Sequence, residues 1–301
     1  MLISTRRRVS RRRENSVTRT WFITGANRGL GRAFTVAALA QGDRVVATAR
    51  DPHGLDDLSA ELTDGRLTVL PLDVRDRDRV RATVDRAFEL TGAIDVIVNN
   101  AGYGLVGALE ELDERQIRDQ MDANFYGALW VSQAAVPHLR KQGRGHIVQI
   151  STVGAVGALP LFSLYNASKW ALEGFSASLA DELRPFGIAV TMAQLGGFDT
   201  DWAKSSMRFA AALPAYDDQR ASLLGMRDYP DPSAPPPVTD YESEWTEAAP
   251  EVAAAELLDL VSMPNPPLRK IIGPGAHEMV ALALDQRRVD YASDPKFTWP
   301  A

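Results

Sequence analysis

The feature that most constrains this chain is a regular alternation, beginning at Thr20, of short apolar segments with longer segments of helical periodicity. The short segments, such as Val45–Ala49, have the length of buried strands, and glycine or charged residues separate them from the helical patterns. Strands that alternate with helices form βαβ units, whose right-handed crossovers place helices on both faces of a parallel sheet. We therefore predict an α/β fold built on a doubly wound parallel sheet.

The predicted elements show no internal repeat and no second core, which indicates a single domain over residues 20–301. The predicted strands are Trp21–Ile23, Val45–Ala49, Leu67–Leu70, Ile94–Val98, His146–Ile150, Ile188–Met192 and Lys270–Ile272. The predicted helices are Gly31–Ala40, Leu55–Leu62, Arg79–Leu90, Asp113–Arg140, Ser163–Leu183, Glu251–Val261 and Ala276–Tyr291. After Thr200 the pattern weakens: residues 201–226 suggest one or two short helices, and the Pro-rich, acidic residues 228–250 predict a long exposed loop.

Charge is distributed unevenly along the chain, whose net charge is −6. Residues 1–20 contain seven Arg and one Glu, so the remainder of the chain is strongly acidic. An acidic body argues against nucleic acid as the main partner. We expect residues 1–19 to form a disordered, Arg-rich extension, and contact of its arginines with nucleic acid or an anionic membrane is the alternative.

Cysteine and long apolar segments are both absent from the sequence. Without cysteine the chain has no disulfide, no cysteine nucleophile and no cysteine-ligated zinc, and we predict no metal site. No apolar run approaches the roughly 20 residues needed to span a bilayer. These features lead us to expect a cytoplasmic protein that does not bind membranes.

A glycine-rich turn joins the first predicted strand to the first predicted helix. Residues 24–31 are Thr-Gly-Ala-Asn-Arg-Gly-Leu-Gly, with the spacing Gly-x-x-x-Gly-x-Gly. Such glycines let the backbone turn sharply and approach a pyrophosphate at the helix N-terminus, as in a Rossmann fold. No Gly-Lys-Ser or Gly-Lys-Thr follows, which argues against a P-loop nucleotidase. The predicted dinucleotide-binding residues of the turn are Gly25, Asn27, Arg28, Gly29, Leu30 and Gly31.

The end of the second predicted strand bears on the choice of dinucleotide. NAD-binding folds usually carry an acidic residue there, which holds the ribose 2′-hydroxyl. This chain has Ala49 followed by Arg50, and Arg28 lies within the glycine turn. Because two guanidinium groups suit a 2′-phosphate, we predict NADP(H) in preference to NAD(H). The carboxylate of Asp51 partly offsets the charge of Arg50.

Three further motifs follow the later strands in order. They are Asn99-Asn100-Ala101-Gly102, Asn124 within the long predicted helix, and Tyr165-Asn-Ala-Ser-Lys169. By itself Tyr-x-x-x-Lys is common on helix surfaces. Together with the glycine turn, however, the set resembles the short-chain dehydrogenase/reductase family over residues 20–202. The resemblance implies an NAD(P)-dependent oxidoreductase that acts on carbonyl and alcohol groups and forms a homodimer or homotetramer.

The resemblance also implies individual roles in binding the cofactor. It implies that Asp73 contacts adenine, with a helix cap as the alternative. It implies that Asn124 kinks the long helix and holds a water for proton relay, with a buried structural Asn as the alternative. Leu195 stands where the family typically has Pro, which relaxes the backbone before Gly196. Asn99 and Ala101 are implied to support the cofactor ribose and the strand. The other implied cofactor-binding positions are Val74, Gly102, Tyr165, Lys169, Gly196 and Thr200.

Tyr165 and Lys169 are four residues apart and would share one face of a helix. A free phenol has a pKa of about 10. An ammonium about 4 Å away contributes roughly 4 kcal/mol at an effective dielectric near 20. We therefore expect Lys169 to lower the pKa of Tyr165 by about two to three units, so that the phenol can serve as general acid and base. The resemblance implies that Lys169 also holds the nicotinamide ribose.

A second hydroxyl is expected beside Tyr165, because the family usually has Ser thirteen residues before the Tyr. That position holds Thr152, which offers the same donor and acceptor, although its methyl group restricts χ1. Ser151 is the fallback if the loop slips by one residue. The implied catalytic residues are Asn124, Ser151, Thr152, Tyr165 and Lys169.

The segment after Thr200 forms the substrate lid in the family, which corresponds here to residues 201–262. Its apolar and aromatic side chains favour a medium-sized, partly apolar ketone or alcohol, and simple packing of the lid is an equal alternative. The residues concerned are Trp202, Met207, Phe209 and Leu213, with Tyr103 and Leu159 facing them. We predict an NADP(H)-dependent carbonyl reductase or alcohol dehydrogenase; a non-catalytic NADP(H)-binding sensor or scaffold is the alternative.

Overall fold

The structure is a computed structural model that describes residues 18–199, 207–230 and 248–300. Its elements are numbered in chain order. The strands are β1 (Thr20–Thr24), β2 (Arg44–Ala49), β3 (Leu67–Pro71), β4 (Val96–Asn99), β5 (Leu105–Val106), β6 (Gly145–Thr152), β7 (Ile188–Leu195), β8 (Arg208–Phe209) and β9 (Arg269–Ile272). The helices are α1 (Gly29–Ala40), α2 (Asp56–Glu61), α3 (Arg77–Thr91), α4 (Glu114–Met121), α5 (Gly127–Gln142), α6 (Ser163–Leu183), α7 (Asp217–Leu224), α8 (Pro250–Val261) and α9 (Ala276–Ala292).

Seven strands form one parallel sheet in the order β3-β2-β1-β4-β6-β7-β9. The chain runs outward from β1 to β3 and then returns to the other side of β1 as β4, so the winding direction reverses between β1 and β4. In a sheet of this kind a crevice opens at the carboxyl ends of the strands where the direction reverses. The predicted doubly wound sheet and single domain are confirmed.

Both faces of the sheet are covered by helices, because successive strand residues point to opposite sides. Trp21 and Ile23 on β1 belong to the apolar layer beneath α1 and α8. Phe22 between them belongs to the layer beneath α3, α5 and α6. All three side chains are fully buried, and each contributes about 1.5–3 kcal/mol by leaving water. The consecutive apolar residues Trp21–Ile23 therefore serve both faces of β1.

The long helix predicted at Asp113–Arg140 differs in one respect from the prediction. The chain is helical over this range, but a π-helical turn at Asp122–Tyr126 separates α4 from α5. Pro137 lies inside α5 without ending it. The pairing of β5 with β8, which joins the loop after β4 to the segment after β7, was not predicted, because two-residue strands leave no periodic pattern.

The first described residues are attached to the sheet. The backbone N–H of Arg19 donates to Asp43 Oδ1 at 2.9 Å, and Trp21 Nε1 donates to Asp43 Oδ2 at 2.8 Å. Arg19, which the predicted disordered extension included, is thus held in place, whereas residues 1–17 lie outside the described residues, as does most of the predicted loop, at 231–247. In the part of the chain that is described, no helix is both long and apolar enough to cross a bilayer.

Candidate active site

The glycine turn between β1 and α1 has a backbone that other residues would not permit. Gly25 and Gly29 have φ angles of 65° and 50°, which lie in the left-handed region. A Cβ atom on Gly31 would lie 2.1 Å from the carbonyl oxygen of Gly25. The turn therefore packs directly on the first turn of α1, leaving the backbone itself as its outer surface.

The loop after β4 holds this turn in place. Thr24 Oγ1 accepts hydrogen bonds from the backbone N–H groups of Asn100 and Ala101, each at 3.0 Å. Asn100 Nδ2 donates to the carbonyl oxygens of Thr24 and Gly25, at 2.9 and 3.1 Å. Asn100 is thus a supporting residue of the turn that the sequence analysis did not single out.

The N-terminus of α1 has the character of an anion site. Arg28 is the N-cap residue, its side chain makes no capping hydrogen bond, and the first turn of the helix contains no acidic residue. The N–H groups of a first helical turn lack partners within the helix, and the helix dipole favours negative charge there. The glycine cradle and this terminus together fit a dinucleotide pyrophosphate.

The positively charged Arg50 follows β2, and the carboxylate of the neighbouring Asp51 is already hydrogen-bonded to the backbone. Ala49 is buried, and Arg28 and Arg50 are both exposed. Asp51 Oδ1 accepts from the backbone N–H of His53 at 3.0 Å and so caps the short turn that follows. Asn27 Nδ2 donates to the Asp51 carbonyl oxygen at 3.1 Å, which joins this turn to the glycine turn.

Asp73, after β3, is paired with a cation. Arg75 Nη2 lies 2.7 Å from Asp73 Oδ2, and this hydrogen bond holds the pKa of the Asp73 carboxyl below its usual range. Asp76, rather than Asp73, caps α3 by accepting from the N–H of Arg79 at 3.0 Å, so the helix-cap alternative for Asp73 is wrong. Val74 is buried against Gly127 at the start of α5.

Asn99 lies in the sheet with its side chain buried. Its Nδ2 donates to Gln149 Oε1 at 3.0 Å and to Ser132 Oγ at 3.1 Å. These bonds join β4 to β6 and to α5, which agrees with the strand-supporting part of the implied role. The contact of Asn99 with a cofactor ribose stays a prediction.

Thr152 at the end of β6 and Tyr165 on α6 come together as predicted. The Thr152 hydroxyl lies at the phenol of Tyr165, where it acts to lower the pKa, and Thr152 Oγ1 accepts from the N–H of Gly154 at 3.2 Å. Ser151 is buried, and its hydroxyl makes no hydrogen bond to a described residue. Of the two predicted hydroxyl groups, that of Thr152 therefore lies at the phenol.

Lys169 lies one helical turn beyond Tyr165 and is buried. Its Nζ donates to the carbonyl oxygen of Ile150 on β6 at 2.8 Å. Burial lowers the pKa of Lys169 to about 8, while the carboxylate of Glu173 acts in the opposite direction.

The expected lowering of the phenol pKa by Lys169 is wrong. Burial raises the pKa of Tyr165 to about 12, and the hydrogen bond with Thr152 offsets this only in part. The physical reason is that packing removes hydration from the phenol, and this raises its pKa by more than the neighbouring groups lower it. The chain by itself therefore keeps Tyr165 protonated at neutral pH.

Asn124 occupies the π-helical turn between α4 and α5 and is almost fully buried. Its Oδ1 accepts from the Tyr103 N–H at 3.0 Å, and its Nδ2 donates to the Tyr103 carbonyl at 2.9 Å and to Ser168 Oγ at 3.2 Å. A Cβ on Gly102 would lie 2.9 Å from Asn124 Oδ1 and 3.8 Å from Lys169 Nζ. Asn124 is thus a buried structural residue that interrupts the helix and joins the loop after β4 to α6; its part in a proton relay stays a prediction.

Leu195 stands where the family typically has Pro, and the end of β7 is a regular strand. Leu195 is buried and pairs with Ile272 of β9, and the Gly196 N–H donates to the Ile272 carbonyl at 2.9 Å. Gly196 approaches Ala276 closely, because a Cβ on the glycine would lie 3.1 Å from the alanine Cβ. Thr200, the implied nicotinamide contact, lies outside the described residues.

The segment from residue 207 to residue 230 packs against the loop that precedes α6. Met207 and Phe209 join a small apolar cluster with Val106 and Leu161, and Phe162 next to this cluster is in edge contact with the ring of Tyr165 at 6.4 Å between centroids. Leu159 and Leu213 are largely exposed, at 48% and 38%, and stay outside the cluster. Trp202 lies outside the described residues.

A buried ion pair that the sequence analysis missed anchors the 207–230 segment. Arg220 on α7 pairs with Glu111, and both side chains are almost completely inaccessible. Glu111 also accepts from the Leu213 N–H at 2.8 Å and from the Tyr229 hydroxyl at 2.6 Å. No periodicity or spacing in the sequence relates residues more than a hundred positions apart, so this contact required the structure. Within the described ranges, no group of three or more acidic or histidine side chains could hold a metal ion.

Comparison with known proteins identifies the chain at the level of its family. The family model for short chain dehydrogenases matches residues 19–210, well over half of the chain. Oxidoreductase BOA17 of Botryotinia fuckeliana is 38% identical over 282 residues, which cover 93% of this chain and 97% of that protein. A 3-ketodihydrosphingosine reductase of Bacteroides thetaiotaomicron is 33% identical over 255 residues, with coverage of 84% and 87%.

Solved structures agree with this. A short-chain dehydrogenase from Streptomyces avermitilis has a TM-score of 0.80 and 34% identity, and the match covers 93% of this chain and 98% of that one. A metagenomic short-chain oxidoreductase in complex with NADP has a TM-score of 0.57 and 30% identity, with coverage of 60% and 82%. A structure from Burkholderia phymatum in complex with NAD has the same fold, with a TM-score of 0.74, 20% identity and coverage of 94% and 98%. The chain therefore belongs to the short-chain dehydrogenase/reductase family of oxidoreductases.

Proposed function

We propose that this enzyme transfers hydride between NADP(H) and the carbonyl or secondary alcohol of a medium-sized, partly apolar substrate, with Tyr165 as general acid and base. The observation that carries the proposal is that the Thr152 hydroxyl lies at the phenol of Tyr165 and acts on its pKa. This pair lies at the carboxyl edge of the sheet, beside Lys169. In the reductive direction a protonated phenol is the form that donates a proton, and this is the role we propose for Tyr165.

The roles of the residues follow from their groups. The dinucleotide, when bound, supplies the hydride. The Thr152 hydroxyl would polarise the carbonyl oxygen, and Tyr165 would give that oxygen its proton. Lys169 would bind the ribose hydroxyls, and its ammonium would stabilise the tyrosinate left after proton transfer. Asn124 would hold the proton-relay water beside Lys169.

NADP(H) is favoured over NAD(H) by the charges at the end of β2. Arg28 in the glycine turn and Arg50 after β2 are both exposed, and Ala49 carries no acid. The carboxylate of Asp51 caps the Pro52–Leu55 turn, which leaves it less able to offset Arg50 or to hold a ribose hydroxyl. Asp73, fixed by Arg75, would contact the adenine.

The apolar cluster beside Tyr165 supports a partly apolar substrate. A relative named as a 3-ketodihydrosphingosine reductase supports a ketone. From the family we also propose a homodimer or homotetramer in the cytoplasm, and light scattering after size-exclusion chromatography would measure the assembly.

The experiment is a panel of aldehydes and ketones of increasing apolar size, followed through NADPH and NADH absorbance in parallel. We expect turnover of ketones, with a higher kcat/KM for NADPH than for NADH. Binding of NADPH without turnover of any member would contradict the proposal and favour a sensor or scaffold. Equal kcat/KM values for the two dinucleotides would contradict the cofactor preference alone.

A further inference from the structure

Glu173 is a buried carboxylate that the mechanism above does not use. It lies four residues beyond Lys169, which itself lies four beyond Tyr165, so the three side chains share one face of α6. Lys169 and Glu173 are each 6% exposed. Acidic side chains are almost never this buried unless they are paired, so the position of Glu173 calls for a partner or a role.

Two hydrogen bonds fix the carboxylate of Glu173. Its Oε1 accepts from Gln194 Nε2 on β7 at 3.1 Å, and its Oε2 accepts from Arg269 Nε on β9 at 3.0 Å. Gln194 is 2% exposed, whereas the side chain of Arg269 is 47% exposed. Donors of this kind favour the anionic form of a carboxyl group. Because Arg269 is solvated, it neutralises the field of Glu173 inside the protein less than a buried cation would.

The surroundings of Lys169 contain few other charges. The groups facing Lys169 and Glu173 from the packed elements are Tyr165 on α6, the Ile150 carbonyl and Thr152 on β6, Asn124 in the π-helical turn, Gln194 on β7 and Arg269 on β9. None of these brings a negative charge at neutral pH. Burial lowers the pKa of Lys169, and Glu173 opposes that effect.

We propose that Glu173 is a positioning residue of the active site, whose buried carboxylate keeps Lys169 charged and thereby maintains the positive field at the Tyr165 hydroxyl. The inference rests on the proposed function, because it acts through Lys169. A lysine buried here without a counter-charge would release its proton close to neutral pH and lose its stabilising effect on the tyrosinate.

The test is a titration of the lysine side chains by NMR, with carbon-13 at Cε, in wild type and in Glu173→Gln. The chain has five lysines, and Lys169→Arg identifies the signal of interest. In E173Q we expect the titration midpoint of Lys169 to fall by about one unit or more, a tenfold loss of proton affinity. For a fall of one unit we also expect kcat to decrease about twofold near pH 7 and about fivefold near pH 8, and to recover at lower pH, with the KM for NADPH changed less than about threefold.

Two controls separate charge from structure. Glu182→Gln makes the same charge change at an exposed position of α6, and we expect no shift of Lys169. Arg269→Gln removes a hydrogen-bond partner of Glu173 but not its charge, so it should not lower the midpoint. An unchanged midpoint in E173Q, or an equal fall in R269Q, would overturn the inference.

Two further outcomes are kept distinct. If E173Q does not fold, Glu173→Asp takes its place. Its side chain is shorter by one methylene and keeps a carboxylate, so we expect a smaller fall of the Lys169 midpoint. A midpoint in E173D equal to that of wild type then counts against the inference. Absence of wild-type turnover would defeat the proposed function, while the titration would still decide whether Glu173 keeps Lys169 charged.

Discussion

At the scale of single residues, burial of Tyr165 sets the direction in which its pKa departs from that of a free phenol. Spacing predicted that Tyr165 and Lys169 would share one face of a helix, and the family resemblance implied that Thr152 would lie beside the phenol. The direction of the phenol pKa was not predictable, since it depends on burial by segments distant in sequence. The structure corrects the expected lowering to a rise. The role of Glu173 was not predicted either, because Glu173 lies on α6 and its partners Gln194 and Arg269 lie on strands that are distant in sequence.

Thr152 gives the first prediction at this scale. Thr152→Ala removes the hydroxyl that would polarise the carbonyl, so we expect kcat to fall about 10²- to 10³-fold. Thr152→Ser keeps that hydroxyl and loses only the methyl group that restricts χ1, so kcat should stay within about tenfold of wild type. Steady-state kinetics with the best ketone of the panel measures both. Equal loss in the two variants would show that the threonine acts by packing.

His146 gives a prediction on stability. It is buried on β6, its Nε2 lies 2.9 Å from Thr191 Oγ1, and burial lowers its pKa to about 4. In the unfolded chain the His146 imidazole has an ordinary pKa near 6.5, so between about pH 6.5 and pH 4 it binds a proton that it does not bind in the folded chain. Stability should therefore fall as the pH decreases from about 6.5 to about 4, by about 3 kcal/mol from this residue.

The matched variant for this effect is His146→Gln, which keeps an amide donor for Thr191 but does not titrate. Urea unfolding of wild type and variant between pH 7 and pH 4.5 gives the difference in free energy of unfolding at each pH. The carboxyl groups common to both proteins cancel in that difference. A difference that is independent of pH would contradict the lowered pKa.

At the scale of elements, the glycine turn, the interrupted helix and the 207–230 segment differ in how far the sequence reveals them. The turn was predictable because three glycines at fixed spacing follow a strand. The π-helical turn is not visible in the apolar periodicity, which one additional residue leaves almost unchanged, and only the family resemblance implied a kink at Asn124. The anchoring of the 207–230 segment by Glu111 and Arg220 depends on a long-range ion pair.

The glycine turn yields a prediction with an internal control. In Gly31→Ala the new methyl group would overlap the Gly25 carbonyl, so the turn must shift. We expect the free energy of unfolding to fall by about 2 kcal/mol and NADPH binding to weaken at least tenfold. Gly174→Ala, at an exposed position of α6 with open space around it, should instead stabilise the protein by about 0.5–1 kcal/mol.

Denaturant unfolding and fluorescence titration with NADPH measure these two variants. If G31A bound NADPH as tightly as wild type, the close approach of the turn to the helix would not matter for the cofactor. If G174A were destabilising, the result would contradict the open space that the structure shows around Gly174.

At the scale of the whole molecule, the topology brings the separate motifs to one place. The glycine turn, Arg50, the loop after β4, and Thr152 follow four different strands, and parallel strands end at the same edge of the sheet. The order of these strands could be predicted because right-handed crossovers leave few alternatives. The path of the chain after β7 could not be predicted, because it depends on the pairing of β5 with β8 and on packing against the loop that precedes α6.

The central claim is that the Tyr165 hydroxyl supplies the proton for carbonyl reduction by NADPH. The most direct test compares wild type and Tyr165→Phe, with the same ketone, for kcat and for the NADPH dissociation constant. We predict that kcat falls about 10²- to 10⁴-fold while the dissociation constant changes less than about threefold. A Phe variant that folds, binds NADPH and retains kcat within a few-fold of wild type would contradict the claim.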